Sequence, residues 1–170
     1  MTNKDTMMDL CTRSASETLE LGVAIGRVLE PGDVIICSGD LGAGKTVLAK
    51  GIASGLGVTE SVVSPTFAIA HQYQGQFLLQ HIDLYRVEST ADLVEIGIDE
   101  LLNADAVIVV EWGELLGSHM PEDWLEITLK SAVPVEAADD VRVVTLRGHG
   151  DHWASREAVL RDAVASFEGG

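Results

Sequence analysis

The segment Gly39-Asp40-Leu41-Gly42-Ala43-Gly44-Lys45-Thr46 constrains this chain more than any other. It is a complete G-x-x-x-x-G-K-[ST] pattern, the Walker A motif. Its glycines let successive backbone N–H groups turn inward and line a concave anion nest. In this pattern the lysine reaches the β- and γ-phosphates of a nucleotide, and the Ser/Thr hydroxyl faces Mg²⁺. A helix starting at the motif adds the positive end of its dipole. The flanks agree. Val34-Ile35-Ile36-Cys37 is an apolar run of strand length, and Val47, Leu48, Ile52 and Leu56 recur at helical spacing. Strand, glycine loop and helix in that order distinguish a phosphate-binding loop from a glycine-rich turn that binds nothing. Gly39, Asp40, Leu41, Gly42, Ala43, Gly44, Lys45, Thr46 and Val47 are therefore the candidate nucleotide-binding residues.

At 170 residues the chain has the size of one domain with a real core. It is 46% hydrophobic with few aromatics, which suits a soluble α/β protein. No apolar run approaches the length of a bilayer span. Met1 to Asp9 has no apolar signal core, so a cytoplasmic location is expected. The net charge of −16, from 11 basic and 27 acidic residues, disfavours direct grip on a nucleic-acid backbone. It leaves open a place beside basic partners in a nucleic-acid pathway. Cys11 and Cys37 have no metal-ligand spacing, and Cys37 reads as a buried packing thiol. His71, His119, His149 and His152 form no ligand cluster, so surface or packing roles are expected for them.

Ser14 to Glu17 is a capping box, followed by an amphipathic helix through Leu21, Ile25, Val28 and Leu29. Pro31-Gly32 turns the chain into a strand at 33–38. The helix after the glycine loop should stop at Gly55 or Gly57. A strand over 66–73, a Gln74-Gly75 turn and a strand over 77–83 form a hairpin. A short helix spans 89–97, with further helical turns to Leu102. Residues 106–110 form an unbroken apolar strand of the kind buried on both faces. Leu125, Ile127 and Leu129 alternate, as do Val141, Val143 and Thr145, so two strands flank an acidic loop at 131–140. A final helix runs over 151–167.

A Walker A loop needs an acid at the end of a neighbouring strand to hold Mg²⁺, directly or through water. Two are available. Asp83 closes the strand Phe77 to Asp83, and Glu111 closes the strand Ala106 to Glu111. Thr46, Asp83 and Glu111 are thus the candidate Mg²⁺ residues, and Lys45, Asp83 and Glu111 the candidate catalytic ones. His81 lies two residues before Asp83, on the same face of the strand, where it could orient that acid. Trp112, beside Glu111, is either a core anchor or a lid over the site. Arg142 is a candidate contact near the base of the nucleotide.

Four segments in order sharpen this reading: the glycine loop, Ser64-Pro65-Thr66-Phe67, His81-Ile82-Asp83-Leu84-Tyr85-Arg86, and Glu111-Trp112. Together they resemble the TsaE family, and the resemblance runs from about Ser16 to the strand near Val143. It implies a P-loop NTPase-like three-layer α/β fold, with a central, mostly parallel sheet and antiparallel additions. It implies ATP with Mg²⁺ as ligands. It also implies an ATPase role in threonylcarbamoyladenosine modification of tRNA, alongside TsaB- and TsaD-type partners that would contact the tRNA. By the same resemblance Lys45 and Thr46 are the phosphate and Mg²⁺ residues, Glu111 binds Mg²⁺, and Asp83 is needed for activity. Segments 64–67 and 83–86 resemble nucleotide-sensing switches. Val47 stands where many relatives carry a second Thr. A small-molecule kinase and a non-hydrolysing nucleotide switch remain as alternatives. Kinases use several arginines on the transferring phosphoryl group, and between Arg27 and Arg142 this chain has only Arg86. A GTPase would need an Asn-Lys-x-Asp segment, and there is none.

Overall fold

The computed structural model describes residues 6–65, 68–132 and 140–169. Its strands are β1 (Thr6–Thr12), β2 (Val34–Ser38), β3 (Ala70–Gln74), β4 (Leu78–Asp83), β5 (Val107–Glu111), β6 (Trp124–Ser131) and β7 (Arg142–His149). They form one sheet in the order β1-β7-β6-β2-β5-β4-β3. The central strands β6, β2, β5 and β4 run parallel. Antiparallel strands extend both edges: β7 and β1 beyond β6, and β3 beyond β4. This is the expected P-loop NTPase-like architecture.

The two faces of the sheet carry separate cores. Helices α1 (Ala15–Gly26) and α2 (Lys45–Gly55) pack Leu21, Ile25, Leu48 and Ile52 against Ile35, Val109 and Ile127. Helices α3 (Thr90–Glu95) and α4 (Ile98–Leu102) bring Leu93 and Ile98 to Val34, Ile36 and Val110 on the other face. Successive strand residues point to opposite faces, so a strand covered on both sides must be apolar at every position. That is why 34–37 and 107–110 are unbroken apolar runs. Because β2, β5 and β4 run parallel, their carboxyl ends lie at one edge of the sheet, where the candidate site residues lie.

Helices α1 and α2 cross at glycines. A Cβ placed on Gly51 would lie 2.2 Å from the Leu19 carbonyl oxygen and 2.8 Å from the Gly22 Cα. The backbones touch there, and this braces the helix that carries Lys45. Gly51→Ala should therefore destabilise, although alanine is the better helix former by about 1 kcal/mol. Forced overpacking costs about 1–3 kcal/mol, and each kcal/mol moves the midpoint by about 2–4 °C in a chain of this size. A thermal melt showing an unchanged or raised midpoint would mean the two helices separate at no cost.

The structure corrects several sequence expectations. Strand β1 was not anticipated. It carries Met8, Leu10 and Thr12 inward, with Met7 exposed, and pairs along its whole length with β7. Strand β7 exists as expected but faces the other way: Val144 and Leu146 are buried, and Val143 is exposed. A shift of one residue exchanges the faces of a strand, and valines at both 143 and 144 leave the choice to packing. Strand β3 starts at Ala70 instead of 66, and Thr66 and Phe67 lie outside the described residues. Most of the acidic loop, 133–139, also lies outside them. The C-terminal helix is not continuous. It breaks at Arg156 between α5 (Asp151–Ser155) and α6 (Glu157–Val164), and a 3-10 turn follows (Ala165–Phe167). At the break, Arg156 Nη1 donates to both oxygens of the buried Asp33 carboxylate at 2.8 Å, and Nη2 donates to the Val28 carbonyl. Among the described residues no helix is long and apolar enough to cross a membrane.

Candidate functional site

The chain leaves β2 at Ser38, turns through residues 39–44 and enters α2 at Lys45. Gly44 caps the helix with φ 107°, in the left-handed region that strains any residue with a side chain. The first N–H groups of α2 have no partner within the helix and favour negative charge. They open onto a cavity of about 680 Å³, which Ser64, Asp83, Arg86, Glu111 and Trp112 help to line. This volume lies within the usual range for small-ligand sites, about 300–1,000 Å³.

Lys45 is almost wholly buried, and its ammonium is turned back on its own loop. Nζ donates to the carbonyl oxygens of Gly39 at 2.6 Å and Asp40 at 2.9 Å. It also lies 4.1 Å from the centroid of the Trp112 ring, a cation–π distance. Trp112 is the only non-glycine residue with positive φ among those described, at 59°. Its ring is half-buried and packs on Tyr85 with centroids 5.2 Å apart. Trp112 rests on the second core, as an anchor does, and lines one wall of the cavity.

The two strand-end acids differ. Cys37 on β2 pairs with Glu111 on β5, which in turn pairs with Asp83 on β4. Glu111 is therefore one strand from the glycine loop and Asp83 two. Thr46 Oγ1 donates to Glu111 Oε1 at 3.0 Å. Glu111 Oε2 lies 2.6 Å from His81 Nε2, and both side chains are buried. Asp83 makes no such contact with Thr46. Its Oδ2 accepts from Ser64 Oγ at 2.8 Å, and its Oδ1 from the Tyr85 N–H at 3.0 Å. His81 does share the face of Asp83, but it holds Glu111 instead. Residues two apart on a strand are about 6.6–7 Å from each other, and the short Asp83 side chain turns to Ser64. Burial pushes the Cys37 thiol well above its ordinary range; Glu111 pushes it further and Lys45 opposes. It stays a protonated packing group.

The chain is similar to known proteins over most of its length. The family model described as "Threonylcarbamoyl adenosine biosynthesis protein TsaE" matches residues 12–138. The chain belongs to the TsaE family. A relative from Streptomyces coelicolor, named tRNA threonylcarbamoyladenosine biosynthesis protein TsaE, is 44% identical over 81% of this chain and 95% of its own length. The same-named protein of Treponema pallidum is 42% identical over 72% of this chain and 91% of its own. A crystal structure of Bacillus subtilis YdiB superposes with a TM-score of 0.78 at 32% identity, covering 93% of this chain and 96% of that one.

The TsaE match ends before β7, and Arg142 lies just beyond it. Arg142 Nε donates to the Ala43 carbonyl at 3.1 Å. The residue lines a second cavity of about 210 Å³ with Thr18 and Asp140, on the outer side of the glycine loop. Gly42, Gly44 and Val47 line both cavities. Leu41 projects from the loop tip, largely exposed. Of segments 64–67 and 83–86, Ser64, Pro65, Asp83, Tyr85 and Arg86 reach the larger cavity. The remaining histidines are dispersed over the fold. His119 bonds Asp99, His149 bonds Glu126 and stacks on Trp124, His152 bonds Asp33, and His71 lies beside Tyr73. Sequence reasoning missed the His81–Glu111 bond and the Ser64–Asp83 bond. Proximity within the motifs was their only signal.

Proposed function

We propose that this chain binds Mg·ATP in the larger cavity and hydrolyses it as the accessory ATPase of threonylcarbamoyladenosine modification of tRNA. The observation that carries the reading is the bond from Thr46 Oγ1 to the Glu111 carboxylate, beside a buried Lys45. A glycine-loop hydroxyl against the acid of the adjacent parallel strand is the donor set Mg²⁺ uses with a nucleotide. Among the described residues no three His, Cys, Asp or Glu side chains converge on a metal site. Mg²⁺ needs no such cage, since it is commonly held by one or two protein groups together with substrate phosphates and water. When bound, it would neutralise charge developing on the phosphate oxygens.

The chain's own residues divide the work. The N–H groups of the loop and of α2 receive the phosphates. Lys45 exchanges the carbonyls of Gly39 and Asp40 for phosphate oxygens, as a cation does when a stronger anionic acceptor arrives. Thr46 and Glu111 would hold Mg²⁺, and Glu111 would orient the attacking water. Asp83 ties the 64–65 segment to the turn after β4, so contact with the γ-phosphate would be felt by both. The smaller cavity, with Arg142, is assigned to the base end of the nucleotide. The net charge of −16 keeps tRNA at a distance, so tRNA is reached through TsaB- and TsaD-type partners.

Isothermal titration with Mg·ATP tests the assignment. Lys45→Ala should weaken binding by about ten- to over a hundred-fold, the loss of a charge-assisted contact of about 1.5–3 kcal/mol. Wild-type affinity in Lys45→Ala would sink the glycine-loop assignment.

A further inference from the structure

His81 is fully buried at the site, and none of the family motifs accounts for the way it is bonded. A buried imidazole is costly unless its nitrogens are satisfied. Here Nε2 lies 2.6 Å from Glu111 Oε2, while Nδ1 is buried without a hydrogen-bond partner among the described residues. A carboxylate oxygen accepts, so Nε2 carries the proton and donates. Its one side-chain polar contact among the described residues is directed at Glu111. The effect on Glu111 is specific. Its Oε2 is committed to His81, which leaves Oε1 turned to the Thr46 hydroxyl.

We propose that His81 is a positioning residue, whose Nε2–H fixes the Glu111 carboxylate so that one oxygen stays presented beside Thr46 where Mg²⁺ binds. This rests on the Mg·ATP reading above. Partners that orient a metal-binding carboxylate typically change metal affinity or turnover by about 10–100-fold when removed. His81 touches neither nucleotide nor metal. It acts through Glu111 alone, so its loss should appear in the Mg²⁺-dependent part of binding and in kcat.

The test compares full-length wild type with His81→Phe, His81→Gln and His81→Asn. ATP affinity is measured by calorimetry in Mg²⁺ and in EDTA, and kcat and KM with the TsaB–TsaD-type pair present. His81→Phe should keep the affinity seen in EDTA but lose about 10–100-fold of the Mg²⁺-promoted tightening, so that KM for Mg·ATP rises by a similar factor and kcat falls as well. His81→Gln places its amide N–H near the Nε2 position and should restore most of both. His81→Asn places it near Nδ1 and should behave like His81→Phe. If His81→Phe fails to fold, the contrast between Gln and Asn decides. Equal Mg²⁺-promoted affinity and kcat in wild type and His81→Phe would overturn the proposal while leaving the nucleotide site standing. Equal impairment of Gln and Asn would do the same, reducing His81 to packing. A wild-type chain that does not bind ATP in either condition would overturn the Mg·ATP reading and this role with it.

Discussion

Glu111→Ala should lower partner-stimulated ATP turnover by about 10²–10⁴-fold, the range for removing a group that directs proton transfer or a nucleophile. The same change strips His81 Nε2 of its acceptor and Thr46 Oγ1 of its own. A buried donor left unsatisfied costs about 1–3 kcal/mol, so the nucleotide-free protein should also melt earlier. Glu111→Gln separates the two effects. Its amide keeps an oxygen for one neighbour and the shape of the site, but it removes the negative charge that Mg²⁺ and a steered water require. It should melt close to wild type and still lose turnover. Asp83→Ala provides the contrast. Asp83 is only half-buried and its partners Ser64 and Tyr85 lie toward solvent, so the midpoint should move little while activity falls. Turnover at the wild-type rate in Glu111→Gln, measured by phosphate release in the assembled system, would remove Glu111 from the mechanism.

The contrast between these acids shows where the sequence stops being informative. Both close apolar strands, and position alone ranks neither above the other. Only the strand order separates them, because β5 lies between β2 and β4 and brings Glu111 against Thr46. Strand order is a non-local property, set by how crossover helices pack on the sheet. Local chemistry was far more legible. The glycine loop, the helix it opens and the doubly buried strands follow from residue spacing, because phosphate loops and apolar periodicity are written in neighbouring residues.

Strand β1 marks the opposite limit. Met8, Leu10 and Thr12 alternate inward, but the segment has no β-branched run, and its partner strand lies more than a hundred residues away. The inward face of β7 failed for a related reason. Adjacent valines at 143 and 144 satisfy either register, and pairing with β1 and β6 selects Val144. The break at Arg156 depends on Asp33, a buried carboxylate from the far end of the sequence. His81 was assigned to the correct face and to the wrong acid, since spacing along one strand does not report what stands on the next.

The isolated chain should be a slow ATPase that its partners accelerate. Phosphoryl transfer gains about 10³–10⁵ in rate from an arginine placed on the transferring group. At the larger cavity Lys45 is the one enclosed cation, and it begins bonded to the loop carbonyls. Among the described residues Arg86 is the only arginine lining that cavity, and it is exposed. Arg142 is spent on the Ala43 carbonyl on the outer side of the loop. Transition-state charge is therefore under-compensated until a partner contributes, or until a partner presses Arg86 inward. The two sources are separable. If Arg86 is the missing cation, Arg86→Ala should abolish stimulation while leaving Mg·ATP affinity nearly intact; if the partner supplies it, Arg86→Ala should retain most of the stimulation. In either case a basic partner surface would be steered toward an acidic chain of net charge −16, so stimulation should weaken as salt rises. The same charge should keep direct tRNA binding negligible at physiological salt. Phosphate release by the purified chain alone, compared with release in the presence of the TsaB–TsaD-type pair across a salt series, measures all of this. Rapid hydrolysis without partners, or tight tRNA binding by the chain alone, would point to an autonomous enzyme and against an accessory ATPase.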